Sequence, residues 1–126
     1  MKKTTPTENK GKQAEIAAQK FLQQQGLKTL KQNFYSRFGE IDIILLQNSK
    51  NPLKTNYLIF CEVRSRKNMG YGSALESITY SKQQKLLKTA QYFMLKNPHY
   101  ANLAMRFDVI IVSPDLIHFD WLKNAF

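Results

Sequence analysis

Two short apolar runs, residues 41–46 (IDIILL) and 57–63 (YLIFCEV), constrain this chain more than any other feature. Both are built from β-branched, leucine and aromatic side chains without glycine or proline, and each reads as a strand buried in a sheet. Residues 47–56, with Asn51 and Pro52, make the loop that closes them into a hairpin. Each run nevertheless carries an acid in its interior, Asp42 in the first and Glu62 in the second. An ionised carboxylate in so apolar a setting is unfavourable without a cation, a metal or several donors beside it, so both acids call for partners.

The rest of the chain supplies helices to cover such a sheet. Ala14, Ala17, Ala18, Phe21 and Leu22 recur at helical spacing, and Gly26 suits the left-handed stop of that helix. Residues 27–34 form a weak strand, and residues 35–39 a hinge leading into the first apolar run. Leu86, Leu87, Ala90, Phe93 and Met94 mark a second amphipathic helix, starting near Thr79 or Ser81 and ending before Pro98. Residues 105–112 and 116–122 read as two further strands joined at Ser113, Pro114 and Asp115. The order αβββαββ predicts one α/β domain over residues 11–126, a mixed central sheet flanked by helices rather than a doubly wound parallel sheet. Residues 1–10 are too polar to dock and are expected to be a disordered basic tail. At 126 residues, 43% hydrophobic, the chain can bury a single core.

Nineteen Lys and Arg against nine Asp and Glu leave a net charge of +10, which favours a polyanionic partner, nucleic acid first. The plainer reading is surplus lysine kept for solubility. Cys61 has no second cysteine to pair with and packs in an apolar run. No secretory signal and no membrane-length apolar stretch is present, so the chain is expected in the cytoplasm. The GYG at residues 70–72 lacks the strand-to-helix setting of a dinucleotide loop. His99 and His118 lack metal-ligand spacing and are not proposed as ligands.

Alternation along a strand puts Glu40, Asp42 and Ile44 on one face and Ile41, Ile43 and Leu45 on the other. By the same rule Phe60, Glu62 and Arg64 share a face. Two arrangements satisfy the acids. In one, Glu62 pairs with Arg64 and Asp42 with Arg37 or Arg64, giving a buried ion-pair network without chemistry. In the other, Asp42 and Glu62 on adjacent strands ligate a hard divalent cation such as Mg²⁺, which takes oxygen ligands and can serve phosphodiester chemistry. Spacing alone leaves both open. Arg106 and Asp108 share a strand face and are expected to pair.

The segments GKQAEIAAQKFLQQQGLKTLKQNF, FGEIDIILL, CEVRSR, GSALESITYSKQQKLLKTAQYFM, RFDVIIV and LKNAF resemble the YraN or UPF0102 family of small bacterial proteins, across residues 11–126. That resemblance implies the restriction-endonuclease-like, PD-(D/E)xK fold and a Mg²⁺- or Mn²⁺-dependent endonuclease acting on structured or damaged DNA, similar to the archaeal Holliday junction resolvases. It makes Asp42 and Glu62 the metal ligands. It adds Glu40 and Glu15 as further acids of the catalytic site, where the residues alone read as a strand-end acid and a solvated helix acid. A homodimer is a further implication, since the resolvases it resembles act on two-fold substrates.

The chain departs from the family motif at one place: Arg64 stands where ExK has lysine. Arginine stays protonated and cannot act as a base, but its fork suits a phosphate. The departure keeps a second reading in play, a non-catalytic nucleic-acid-binding protein on the same fold. Lys82 on the second helix is a candidate to compensate, against the plain reading of a surface lysine. Arg66, Lys67 and Tyr71, in the loop after the motif strand, and Lys82 are the expected nucleic-acid contacts.

Overall fold

Helix α1 (Pro6–Gln24), strands β1 (Lys28–Ser36), β2 (Gly39–Gln47) and β3 (Tyr57–Ser65), helix α2 (Tyr80–Lys96), a short 3-10 turn (Pro98–Tyr100) and strands β4 (Ala104–Val112) and β5 (Phe119–Leu122) follow one another in a computed structural model that describes residues 6–65 and 76–126. The order matches the sequence reading. The five strands lie in the sheet in chain order, all neighbours antiparallel except β3 and β4, which run parallel across the connection through α2. A parallel pair needs a long crossover, and α2 supplies it. No helix among the described residues is long and apolar enough to cross a membrane.

The helices cover opposite faces of the sheet. Ala14, Ala18 and Leu22 of α1 pack on Ile43, Leu45, Ile59, Cys61 and Val63. Leu86, Ala90 and Phe93 of α2 pack on Ile44, Leu58, Phe60, Val109 and Ile111, with the Phe60 ring edge-on to Phe93 at 6.0 Å. Strands sandwiched this way are buried on both sides, which is why residues 41–46 and 57–63 read as continuous apolar runs. Cys61 is wholly buried in the α1 layer, as its run predicts.

Local signals place most boundaries. Gly26, at φ +91°, ends α1 in the left-handed conformation, with Leu27 N–H donating to the Leu22 carbonyl at 3.1 Å. Thr79 caps α2 by accepting from Lys82 N–H at 3.2 Å. Helix α1 begins at Pro6, eight residues before its apolar periodicity does at Ala14, because proline's locked φ suits a first turn. β1 runs on to Ser36, leaving only Arg37 and Phe38 in the turn before Gly39.

Two expectations need correction. β5 is four residues long rather than seven. Leu116 takes φ +63°, and the Asp115 carboxylate accepts from the N–H groups of Ile117 and His118 at 3.0 and 3.2 Å, so these residues close a turn and cannot extend a ladder. In β2, Ile44 does not share the side of Glu40 and Asp42. Ile41 and Ile44 both pack in the α2 layer while Ile43 and Leu45 pack under α1, so the alternation slips by one residue between Asp42 and Ile43. The partner strand shows the cause. Asn33, opposite Asp42 in the pairing, has φ +48°, and both Gln32 and Asn33 turn toward α1, where they hydrogen-bond Gln19 and Glu15. A left-handed residue inside a strand re-aims the side chains that follow it.

Candidate metal centre

The slip in β2 lies where the sheet opens. β2 and β3 pair from Gln47 and Tyr57 as far as Ile43 and Cys61 and then part, while β3 stays paired with β4 to Ser65. Asp42 and Glu62 are the first residues beyond the last β2–β3 pair. In place of a backbone partner, the Val63 N–H donates to Asp42 Oδ2 at 2.9 Å.

Around that opening the carboxylates form two groups. Glu15 of α1, Glu40 and Asp42 bring one oxygen each within 4.8 Å of one another, a cluster of metal-ligating dimensions among the described residues. Asn33 spans two of them, its Nδ2 donating to Glu40 Oε1 at 2.8 Å and Glu15 Oε2 at 3.1 Å. Glu62 stands outside this trio, on the α2 side, consistent with Leu58 and Phe60 of the same strand facing α2. It lines a cavity of about 260 Å³ together with Glu40, Asp42, Arg64, Lys82 and Lys85. Asp42 therefore borders both groups.

Glu62 is 8% exposed, and among the described residues its Oε1 has no hydrogen-bond partner, nor does the buried Nε of Arg64. The two side chains approach only to 3.6 Å, Arg64 Nη2 to Glu62 Oε2. Asp108, one strand away, shows how this sheet satisfies a structural acid. Its carboxylate takes Arg106 Nε and Nη2 at 2.9 Å each, Trp121 Nε1 at 2.8 Å and Asn124 N–H at 2.9 Å. The Arg106–Asp108 pair expected from the sequence is thus present and complete, whereas the Glu62–Arg64 pair leaves lone pairs and a donor over. A closed ion-pair network does not account for Glu62.

The electrostatics match. Burial pushes the Asp42 carboxyl up to about 6, with the Glu15 and Glu40 charges adding to it and the Val63 N–H opposing. Burial, then the Asp42 charge, pushes Glu62 up to about 8 against the pull of Arg64. Asp42 thus feels acids on both sides, Glu15 and Glu40 on one and Glu62 on the other, and a cation placed among them would relieve that repulsion. An all-oxygen donor set of this kind fits Mg²⁺ or Mn²⁺ rather than a soft metal.

Of the residues expected at the site, Glu15, Glu40 and Asp42 come together, Glu62 and Arg64 stand beside them, and Lys82 faces the same cavity from α2. Arg37 does not pair with Asp42; its guanidinium lies over the Phe38 ring at 4.8 Å. Arg66, Lys67 and Tyr71 lie outside the described residues. Sequence reasoning missed Lys85 and Asn33. Lys85 falls one helical turn from Lys82 and was within reach of a spacing argument, but nothing in the string KQNF marks Asn33.

The model of the Uncharacterised protein family UPF0102 matches residues 14–112, a stretch that holds every acid and cation of the opening. The chain belongs to the UPF0102 family. A UPF0102 protein of Legionella pneumophila (strain Corby) is 43% identical over 120 residues, covering 95% of this chain and 96% of the relative. A UPF0102 protein of Saccharophagus degradans is 44% identical over 116 residues, covering 92% and 91%. One from Psychrobacter sp. (strain PRwf-1) is 41% identical over 131 residues, covering 97% and 90%. The expected family resemblance is therefore met along nearly the whole chain.

Proposed function

We propose that this UPF0102 protein is a Mg²⁺-dependent endonuclease for structured or damaged DNA, built on the PD-(D/E)xK variant of the α/β fold. One observation carries the reading: a buried, half-unpartnered Glu62 and the Glu15–Glu40–Asp42 cluster meet where β2 and β3 part, beside the cations Arg64, Lys82 and Lys85. Anionic ligands for a metal and cationic groups for a phosphate are thus within one opening. A bound divalent cation supplies Lewis-acid polarisation of a phosphoryl oxygen and a water of lowered pKa. The chain's own part is to hold that ion with Asp42 and its neighbouring acids and to orient a phosphate with the Arg64 fork and the Lys82 ammonium. Arg64 keeps its proton, so water activation in this scheme does not rest on it.

The test is a Mn²⁺ titration by calorimetry on wild type and Asp42→Asn, followed by branched and single-stranded DNA substrates in Mg²⁺ or Mn²⁺. Binding and cleavage by wild type, both lost in Asp42→Asn, is the expected result. Absence of metal binding at any pH would remove the reading.

The arginine at position 64 favours a second reading, a nucleic-acid-binding protein that retains the fold without turnover. It predicts salt-sensitive DNA binding that survives Asp42→Asn, with no cleavage by wild type or variant.

A further inference from the structure

Beside the carboxylate opening, on the far side of the β1–β2 turn, lies a second cleft of about 620 Å³ between that turn and α2. Its walls carry Arg37, Phe38, Lys88, Gln91 and Tyr92. Both rings are open to solvent in part, Tyr92 being 37% exposed and Phe38 half-buried. The cations lie against them: Arg37 over Phe38 at 4.8 Å, Lys88 over the same ring at 5.5 Å, and Lys96 over Tyr92 at 5.5 Å. No acid stands among residues 36–39 or anywhere in α2, whose sequence is YSKQQKLLKTAQYFMLK. Arg37 and Lys88 make no salt bridge among the described residues.

The two openings are joined. Lys82, Lys85 and Lys88 recur every third residue on α2, a lysine rail that rises about 9 Å along the helix while winding about a third of a turn around it, from one opening to the other. Lys82 and Lys85 line the carboxylate cavity and Lys88 lines the cleft. Gly39 forms the corner between them: its φ of +154° favours glycine, while a Cβ there would meet Lys85 Cβ only in ordinary contact at 3.8 Å.

We propose that the Phe38–Tyr92 cleft holds an unpaired nucleotide of the nucleic acid whose backbone follows the lysine rail to the carboxylate cluster, which makes a single-stranded segment, not continuous duplex, the form this protein grips. Charge alone would be served by a flat basic surface. A concave site whose aromatic walls carry cations with no acid partner among the described residues matches a free base face with a phosphate at its edge, and in a duplex those base faces are already stacked. The inference rests on the nucleic-acid reading above and adds to it the state of the strand.

The experiment measures binding of labelled oligo-dT, oligo-rU and a duplex of equal length by fluorescence anisotropy in EDTA, for wild type, Phe38→Ala, Arg37→Glu and the control Lys54→Glu. Lys54 is exposed in the β2–β3 loop and changes net charge by the same amount as Arg37→Glu. We expect single strands to bind more tightly than duplex, Phe38→Ala and Arg37→Glu each to weaken single-strand binding about tenfold, and Lys54→Glu to weaken all three ligands slightly and alike. The oligo-dT and oligo-rU arms read which sugar is preferred; the cleft is supported by either. Equal loss from Arg37→Glu and Lys54→Glu would reduce the cleft to part of a general basic field, and unchanged single-strand binding in Arg37→Glu and Phe38→Ala would overturn it. Arg37 is exposed, so its variant reports even if Phe38→Ala misfolds. A parallel Mn²⁺ titration of wild type separates failure of the cleft from failure of the metal reading. Wild type that binds Mn²⁺ and duplex but binds single strands no more tightly would sink the cleft alone.

Discussion

The backbone N–H of Val63 donates to Asp42 Oδ2 at 2.9 Å, at the point where β2 stops pairing with β3. The Asp42 carboxylate thus completes the sheet and also stands within metal-ligating distance of Glu15 and Glu40. The two roles separate by substitution. Asp42→Asn keeps an acceptor for Val63 and should fold like wild type, but lose Mn²⁺ affinity by more than the tenfold to hundredfold typical of outer-shell changes. Asp42→Ala leaves a buried N–H unmet and should be less stable than Asp42→Asn by about 1–3 kcal/mol in urea unfolding. Equal Mn²⁺ affinity in Asp42→Asn and wild type would exclude Asp42 as a ligand.

Glu62 makes the metal-free fold sensitive to alkali. A carboxyl whose folded pKa lies above its unfolded value holds its proton more tightly in the fold. Its contribution is therefore complete below the ordinary glutamate range and is lost as pH rises through the folded value. With Asp42 raised to about 6 and Glu62 to about 8, the metal-free protein should lose stability from about pH 4, where the unfolded carboxyls begin to ionise, to about pH 9. Glu62→Gln should remove a large part of that fall and exceed wild type at the alkaline end by about 1–3 kcal/mol, since a neutral amide replaces a charged, half-unpartnered group. Urea midpoints in EDTA across that range decide it; superimposable curves for the two proteins would contradict the burial argument. Mn²⁺ should act in the opposite sense and stabilise more at higher pH, because both protons must leave before it binds.

Much of this was legible in the sequence, and the parts that were not share a cause. The buried strands followed from β-branched side chains at 41–46 and 57–63, the start of α2 from Thr79, and the Arg106–Asp108 pair from their two-residue spacing. Each is a local signal. The side of Ile44 was misread because regular alternation was assumed through Asp42, whereas Asn33 on the neighbouring strand breaks it. The first residues assigned to β5 failed for a similar reason, since the Asp115 side chain satisfies their N–H groups better than a ladder. Glu15 lies 27 positions from Asp42 on another element. No spacing rule joins a helix acid to a strand acid, and only the family resemblance suggested it.

Asp108 provides the contrast that separates a structural acid from the acids proposed to hold a metal. Asp108→Ala strands the buried Arg106 guanidinium, Trp121 Nε1 and Asn124 N–H at once. Removing one partner of a buried ion pair typically destabilises by about 3–5 kcal/mol, a large share of a small domain's stability. Thermal unfolding should therefore fall sharply in Asp108→Ala, while the protein that remains folded at low temperature binds Mn²⁺ like wild type. Asp42→Asn should show the reverse pattern. If Asp108→Ala proves as stable as wild type, the completeness of its hydrogen bonding carries no energetic weight.

Asn33 is the residue whose substitution best tests whether the acids are held in place or merely near one another. Its Nδ2 joins Glu15 to Glu40, and its backbone sits at φ +48°, so it contributes both a crosslink and a left-handed residue. Asn33→Gly removes the crosslink and tolerates the backbone; Asn33→Ala removes the crosslink and strains the backbone by about 1–2 kcal/mol. Both variants should weaken Mn²⁺ binding about tenfold, the usual scale for losing a group that orients metal ligands. Only Asn33→Ala should carry the extra loss of stability. Calorimetric titration beside urea unfolding separates the two effects. Wild-type Mn²⁺ affinity in Asn33→Gly would mean that Glu15 and Glu40 reach their positions without the crosslink, and that Asn33 acts on the site only through the turn it puts into β1.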